Sequence, residues 1–216
     1  MKHISFTAEA PYFTLNTLRQ GTRRLWMACH GYGQLGKYFM RRFDVLDPET
    51  DMVIVPQGLS RFYLDQKYQR VGASWLTREH REIGIKNMHA YLNKVFHAET
   101  KDSDLSEIEI CLFGFSQGTS AAARWGIQNQ IPFRRLFVWA GTFPPEIRPE
   151  DVAYLDTDNV SITVFMGSED AFFDADLFEK QLQHIRSLFP HTEVVRFEGG
   201  HEVRRDVLRQ AVAALD

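Results

Sequence analysis

Short apolar runs recur along this chain, each followed by a longer stretch whose apolar residues fall three or four positions apart. The runs are Leu25-Trp26-Met27-Ala28-Cys29, Met52-Val53-Ile54-Val55, the segment from Ile108 to Phe115, Leu136-Phe137-Val138-Trp139-Ala140, the segment from Ile162 to Met166, and Val194-Val195-Arg196-Phe197. Several lack strict alternation of apolar and polar residues, as strands do when both of their faces are covered. Between them, Thr77 is placed as an N-cap, with Ile85, Met88, Leu92 and Val95 as the stripe of the helix that follows. Leu177, Phe178, Leu182, Ile185 and Phe189 make a second stripe, and Val203, Val207, Leu208, Ala211, Val212 and Leu215 a third. Such alternation predicts an α/β fold, with a mostly parallel central sheet and helices on both faces. Ahead of it, Ile4 to Phe6 and Tyr12 to Leu15 read as one or two additional strands.

The chain shows no internal repeat, low-complexity tract or dividing linker, so residues 1–216 are expected to form a single domain. A globule of this size buries roughly 70% of its extended-chain surface, enough for a core without staples. Two stretches, 56–75 and 141–159, look irregular, and loops of that length in a compact α/β domain are usually functional.

Charge narrows the partners. The net charge of -3 is too little positive to hold a phosphate backbone, and no nucleic-acid partner is expected. Residues 146–179 hold ten acidic side chains and one base, Arg148, and read as a solvated acidic face. Cys29 and Cys111 sit in apolar runs and are read as buried thiols, not as a disulfide framework. The first residues lack the apolar core of a signal peptide, and no run approaches the eighteen or so apolar residues of a membrane span. The expectation is a cytoplasmic, soluble monomer or homodimer without stable membrane insertion.

The sharpest local signal is Gly114-Phe115-Ser116-Gln117-Gly118. A G-x-S-x-G between a strand and a helix is a nucleophile elbow, whose glycines relieve backbone crowding around the serine. The pattern alone is cheap, but here a strong strand precedes it. The small residues Ser120-Ala121-Ala122-Ala123, which permit close packing on a sheet, follow it. The competing reading is a structural serine in a strand-to-helix turn.

A nucleophilic serine needs a base and an orienting acid. Downstream of Ser116 stand His184, in a helix stripe, His191, in a turn after Pro190, and His201, after Gly199-Gly200 and before the last helix. Only His201 falls on a loop at the carboxyl end of a strand, the sheet edge that also carries Ser116. The acid is sought in Gly167-Ser168-Glu169-Asp170, with Asp170 preferred because its shorter side chain fixes an imidazole with less freedom than Glu169. Asp174 and Asp176 read as the opening of the next helix, where acids favour the dipole.

An oxyanion hole takes one donor from the backbone N–H after the nucleophile, here Gln117, and one from a loop after an earlier strand. Cys29-His30-Gly31-Tyr32-Gly33 has that form, which makes the N–H of Tyr32 the second candidate. His30 is read as a hydrogen-bonding element of the loop. Trp75, Phe143, Phe172 and Phe173 are the candidate apolar walls of the substrate cleft. No His, Cys and acid cluster has ligand spacing, so neither a metal nor a cofactor is expected.

Together these motifs resemble the phospholipase/carboxylesterase family of α/β-hydrolases, which includes the acyl-protein thioesterases and small bacterial carboxylesterases. His30-Gly31-Tyr32-Gly33, Gly114 to Gly118, Gly167 to Asp170 and Gly200-His201 match its motifs in order, from about residue 22 onward. Val71-Gly72-Ala73-Ser74-Trp75 is similar to its Ser-Trp segment. Thr119, Gln34 and the stretch from Gly58 to Tyr63 depart from the family pattern, which bears on the substrate and not on the class. The resemblance implies an α/β-hydrolase fold without a large lid domain. It also implies a serine carboxylesterase acting through an acyl-enzyme on short- to medium-chain esters, small molecules in an open cleft. The alternatives are an acyl-thioesterase or lysophospholipase on the same triad and, further off, a non-catalytic binding module.

Overall fold

A computed structural model describes residues 2–172 and 174–215. Its central sheet takes in strands β1 (Tyr12–Leu15), β2 (Arg24–Cys29), β3 (Asp51–Pro56), then β6 (Glu109–Phe115), β7 (Phe133–Trp139), β8 (Ser161–Gly167) and β9 (Thr192–Phe197). The spatial order is β1-β3-β2-β6-β7-β8-β9. Only β1 runs antiparallel, against β3; every other pairing is parallel. Each apolar run of the sequence is therefore a strand. Parallel neighbours require crossovers, and the helices supply them: α1 (Gly36–Phe39), α2 (Arg81–Thr100), α3 (Gln117–Gln128), α4 (Pro149–Val152), α5 (Ala175–Leu188) and α6 (Arg205–Ala213).

Because strand side chains alternate, the sheet has two faces of different chemistry. Leu25, Met27 and Cys29 of β2 point to one, with Met88 and Leu92 of α2, Ala121 to Ala123 of α3, and Leu182 and Ile185 of α5. Trp26 and Ala28 point to the other, which is covered by Phe39 of α1, by Phe43 just after it, and by Leu208 and Val212 of α6. That second face holds Phe113, Phe115, Phe137, Phe165 and Phe197. Rings fill the space that two short helices leave, and Trp139 stacks on Phe165 at 4.2 Å between centroids. Much of the chain's phenylalanine is accounted for there.

Three details differ from the sequence reading. Thr77 does not cap α2. Its hydroxyl bonds the carbonyl of Glu79, and the helix starts four residues later, behind His80 in a left-handed conformation. Ile4 and Phe6 form no strand and are exposed, with no partner strand beside them. The stretch 56–75 is not irregular throughout: β4 (Ser60–Tyr63) and β5 (Val71–Ser74) form an antiparallel hairpin outside the main sheet. Its turn is shaped by Asp65, whose carboxylate accepts the N–H groups of Lys67, Gln69 and Arg70. Those backbone bonds, led by the one from Gln69, hold the Asp65 carboxyl below its ordinary pKa. Among the described residues, no helix is long and apolar enough to cross a membrane.

Candidate active site

Ser116 stands between β6 and α3 with φ 54° and ψ -120°, a strained conformation for a residue with a Cβ. Two glycines allow it. A Cβ on Gly114 would fall 2.2 Å from Thr119 Cα, and one on Gly118 would fall 2.1 Å from Cys29 O. The helix therefore starts in direct contact with the backbone of β2. The turn is tied down by Ser116 N–H to Trp139 O at 2.8 Å and Thr119 Oγ1 to Gly114 O at 2.8 Å. Thr119, one of the departures from the family pattern, thus closes the elbow with its hydroxyl.

Asp170 and His201 meet on the same sheet edge. Nδ1 of His201 lies 2.8 Å from Asp170 Oδ2, and the other carboxylate oxygen accepts the N–H of Phe172 at 2.9 Å. Opposite a carboxylate, Nδ1 carries the proton, which leaves Nε2 as the basic nitrogen. The two loops are held together by Glu169 N–H to Gly199 O at 2.9 Å, while the Glu169 residue itself is exposed. Of the two acids considered, Asp170 is the one on the imidazole. The His201 ring rests against Phe115, the residue before Ser116, at 5.0 Å between centroids. Ser116 Oγ and His201 Nε2 make no hydrogen bond among the described residues; such contacts commonly tighten only when substrate is bound. Asp174 caps α5, its side chain accepting from Leu177 N–H, and Asp176 lies in the first turn.

The loop after β2 borders the same spot. A Cβ on Gly31 would lie 3.3 Å from that of Ser116. In this loop Gly31 N–H is taken by Gln34 Oε1 and Gly33 N–H by Ala73 O. No such bond engages Tyr32 N–H among the described residues. Gln117 is the first residue of α3, where a backbone N–H has no partner within the helix. Both candidate oxyanion donors are thus available, on separate elements.

His30 is fully buried beneath the loop. Nδ1 pairs with Gly31 O at 2.8 Å, and Nε2 accepts from Gly58 N–H at 3.0 Å and approaches the Gln57 side-chain amide at 3.2 Å. Burial pushes its pKa down to about 4, against a smaller opposing effect of the Gly31 carbonyl. The imidazole is neutral and spans two loops.

The proposed cleft walls fare unequally. Phe172 is 80% exposed and meets the His201 ring edge-on at 4.8 Å. Trp75 and Phe143 are corrected: at 3% and 2% exposed they are core residues. Trp75 is drawn inward because its indole N–H bonds His30 O at 2.7 Å. Phe143 packs against His184, and its N–H is held by Gln181 Oε1. Phe173 lies outside the described residues. The rim is instead made by the exposed Tyr32 stacked on the half-buried Phe62 of the hairpin, centroids 5.0 Å apart, a pair the sequence reading missed. Among the described residues, no group of three or more His, Cys, Asp or Glu is placed to hold a metal ion. A polar recess of about 440 Å³ lies far from this edge, at the amino ends of β6 and β7, lined by Glu109, Arg134 and Arg135.

Solved structures share this architecture. Zea mays acyl-protein thioesterase 2 superimposes with a TM-score of 0.71 at 14% identity, covering 95% of this chain and 99% of its own. The Bacillus cereus carboxylesterase gives 0.66 at 14%, covering 96% and 93%. A phospholipase/carboxylesterase from Dyadobacter fermentans gives 0.63 at 14%, covering 97% and 99%. At such identities the likeness is one of fold. No curated protein sequence matches the chain. The sequence model of one family, described as Phospholipase/Carboxylesterase, matches residues 17–216, nearly the whole length. The chain therefore belongs to the phospholipase/carboxylesterase family of α/β-hydrolases.

Proposed function

We propose that the protein is a serine carboxylesterase that hydrolyses short- to medium-chain carboxylic esters through an acyl-enzyme. The observation that carries this reading is the 2.8 Å pair of His201 Nδ1 and Asp170, held beside a strained serine elbow. Ser116 Oγ attacks the ester carbonyl carbon while its proton passes to His201 Nε2, and the carbonyl electron pair moves onto oxygen. The N–H groups of Tyr32 and Gln117 receive that oxyanion, each contributing about 3 kcal/mol by analogy with other hydrolases. On collapse, the bond to the alcohol oxygen breaks and His201 returns the proton to it. Water, deprotonated by His201, then attacks the acyl-enzyme and releases the acid and Ser116. Asp170 keeps Nδ1 protonated throughout.

The substrate reading rests on the rim. Tyr32 and Phe172 offer apolar surface in the open, with the half-buried Phe62 stacked on Tyr32, while Trp75 and Phe143 are buried in the core. Such a site suits small acyl groups. The test is a kcat/KM series over p-nitrophenyl esters of increasing acyl length, run beside the matching acyl-thioesters and repeated with Ser116→Ala. A maximum at short to medium chains, abolished in the variant, is expected. A maximum at long chains, or a clear preference for thioesters, sinks the ester assignment in favour of a lysophospholipase or thioesterase. No turnover of any ester by folded protein would leave a binding module.

A further inference from the structure

The two candidate oxyanion donors sit on different elements, the loop after β2 and the start of α3. A hole of this kind works only if both N–H groups point at one place to within a fraction of an ångström. One short segment, Ala73 to Leu76 at the end of β5, touches both.

On the α3 side the contact is the carboxamide of Gln117. Its Oε1 accepts Trp75 N–H at 2.9 Å, and its Nε2 donates to Leu76 O at 2.8 Å. Ser74 Oγ lies within 3.2 Å of Oε1 and 3.0 Å of Nε2. Only one orientation of the carboxamide satisfies both backbone groups, so it is locked. On the loop side, Trp75 Nε1 donates to His30 O at 2.7 Å, and Gly33 N–H donates to Ala73 O at 2.8 Å. These bonds flank Tyr32 on both sides. Ala73, Ser74 and Trp75 are all buried, so the segment has little room to shift.

We propose that the Gln117 carboxamide and the Trp75 indole are positioning residues that set the spacing of the two oxyanion donors through segment 73–76. This rests on the esterase reading above. It also assigns Trp75 a task other than the cleft wall expected of it. Neither side chain touches the reacting atoms. Each acts through the backbone N–H it steadies.

The test compares an oxygen ester with its thionoester, in which sulfur replaces the carbonyl oxygen and accepts hydrogen bonds poorly. A working oxyanion hole favours the oxygen ester. Gln117→Met keeps the side-chain length but drops four polar contacts. Trp75→Phe removes the indole N–H together with one ring of a buried side chain, a packing loss that the oxygen-to-sulfur ratio separates from the loss of the hydrogen bond. In Gln117→Met, kcat on the oxygen ester is expected to fall roughly 10- to 100-fold, with KM within about twofold. The thionoester should lose far less, so the oxygen-to-sulfur rate ratio narrows. Trp75→Phe is expected to move the same way by a smaller factor, and it carries the test alone if Gln117→Met does not fold. A merely structural defect lowers both rates together. A folded variant with the wild-type ratio overturns the inference while leaving the esterase reading intact. A wild-type protein that neither turns over esters nor reacts with a fluorophosphonate overturns both.

Discussion

Two buried carboxylates sit at opposite ends of the sheet and differ in what they hold. Asp51, at the start of β3, accepts from Arg24 Nε at 2.8 Å, Arg24 Nη2 at 3.1 Å, Trp26 Nε1 at 2.7 Å and Thr50 Oγ1 at 2.8 Å. Its partner cation is permanent, and all four bonds lie at the amino ends of β2 and β3. Asp170, on the loop after β8, holds an imidazole whose side chain is 22% exposed and whose charge can change. The first arrangement is saturated and fixes strand register. The second leaves a basic nitrogen toward solvent and so can serve chemistry. Burial alone does not distinguish them; the chemistry of the partner side chain, guanidinium against imidazole, does.

The sharpest way to break this comparison is to exchange the roles. Asp170→Asn removes the charge that selects the imidazole tautomer, and kcat should fall by about 10⁴ as in other serine hydrolases. Its urea unfolding midpoint should stay at the wild-type value. A variant that unfolds early while keeping its turnover would mean Asp170 is structural. Asp51→Ala should do the reverse. Taking the counter-charge from a buried guanidinium costs about 3–5 kcal/mol, read from urea unfolding, while per-molecule kcat of the remaining folded protein holds.

His30 extends the comparison to a buried titratable group with no carboxylate beside it. Its folded pKa of about 4 lies below the ordinary 6.5, so the unfolded chain binds the proton more readily between those values. Stability from this group is complete above pH 6.5 and is lost as the pH falls towards 4, by up to roughly 3 kcal/mol. Unfolding midpoints followed across that window should show a slope that flattens in His30→Gln. An unchanged slope would place the acid sensitivity elsewhere. The smallest effect is expected at Phe172. Exposed beside His201, it should change KM a few-fold on truncation to alanine, without a shift in Tm. A large loss of stability there would show a packing role.

How legible was this in the sequence? The strands of the main sheet were, because a strand covered on both faces must be apolar almost throughout, as Met52 to Val55 is. So was the placing of Ser116, Asp170 and His201 on one edge, since loops after parallel strands share that edge. The hairpin was not. Arg61-Phe62-Tyr63 is too short and too mixed in character, and its turn depends on where the Asp65 carboxylate points. Nor was the burial of Trp75 and Phe143. An aromatic on a loop looks alike whether it faces solvent or is drawn inward by a carbonyl 45 positions away, as Trp75 is by His30. The Gln117 carboxamide was overlooked for the same reason: its partners lie about forty residues upstream.

The most direct measurement is mass spectrometry of the folded protein after exposure to a fluorophosphonate. The account predicts one adduct per chain, mapped to the peptide containing Ser116 and lost in Ser116→Ala. An unmodified wild-type chain, or the same adduct in Ser116→Ala, would contradict it.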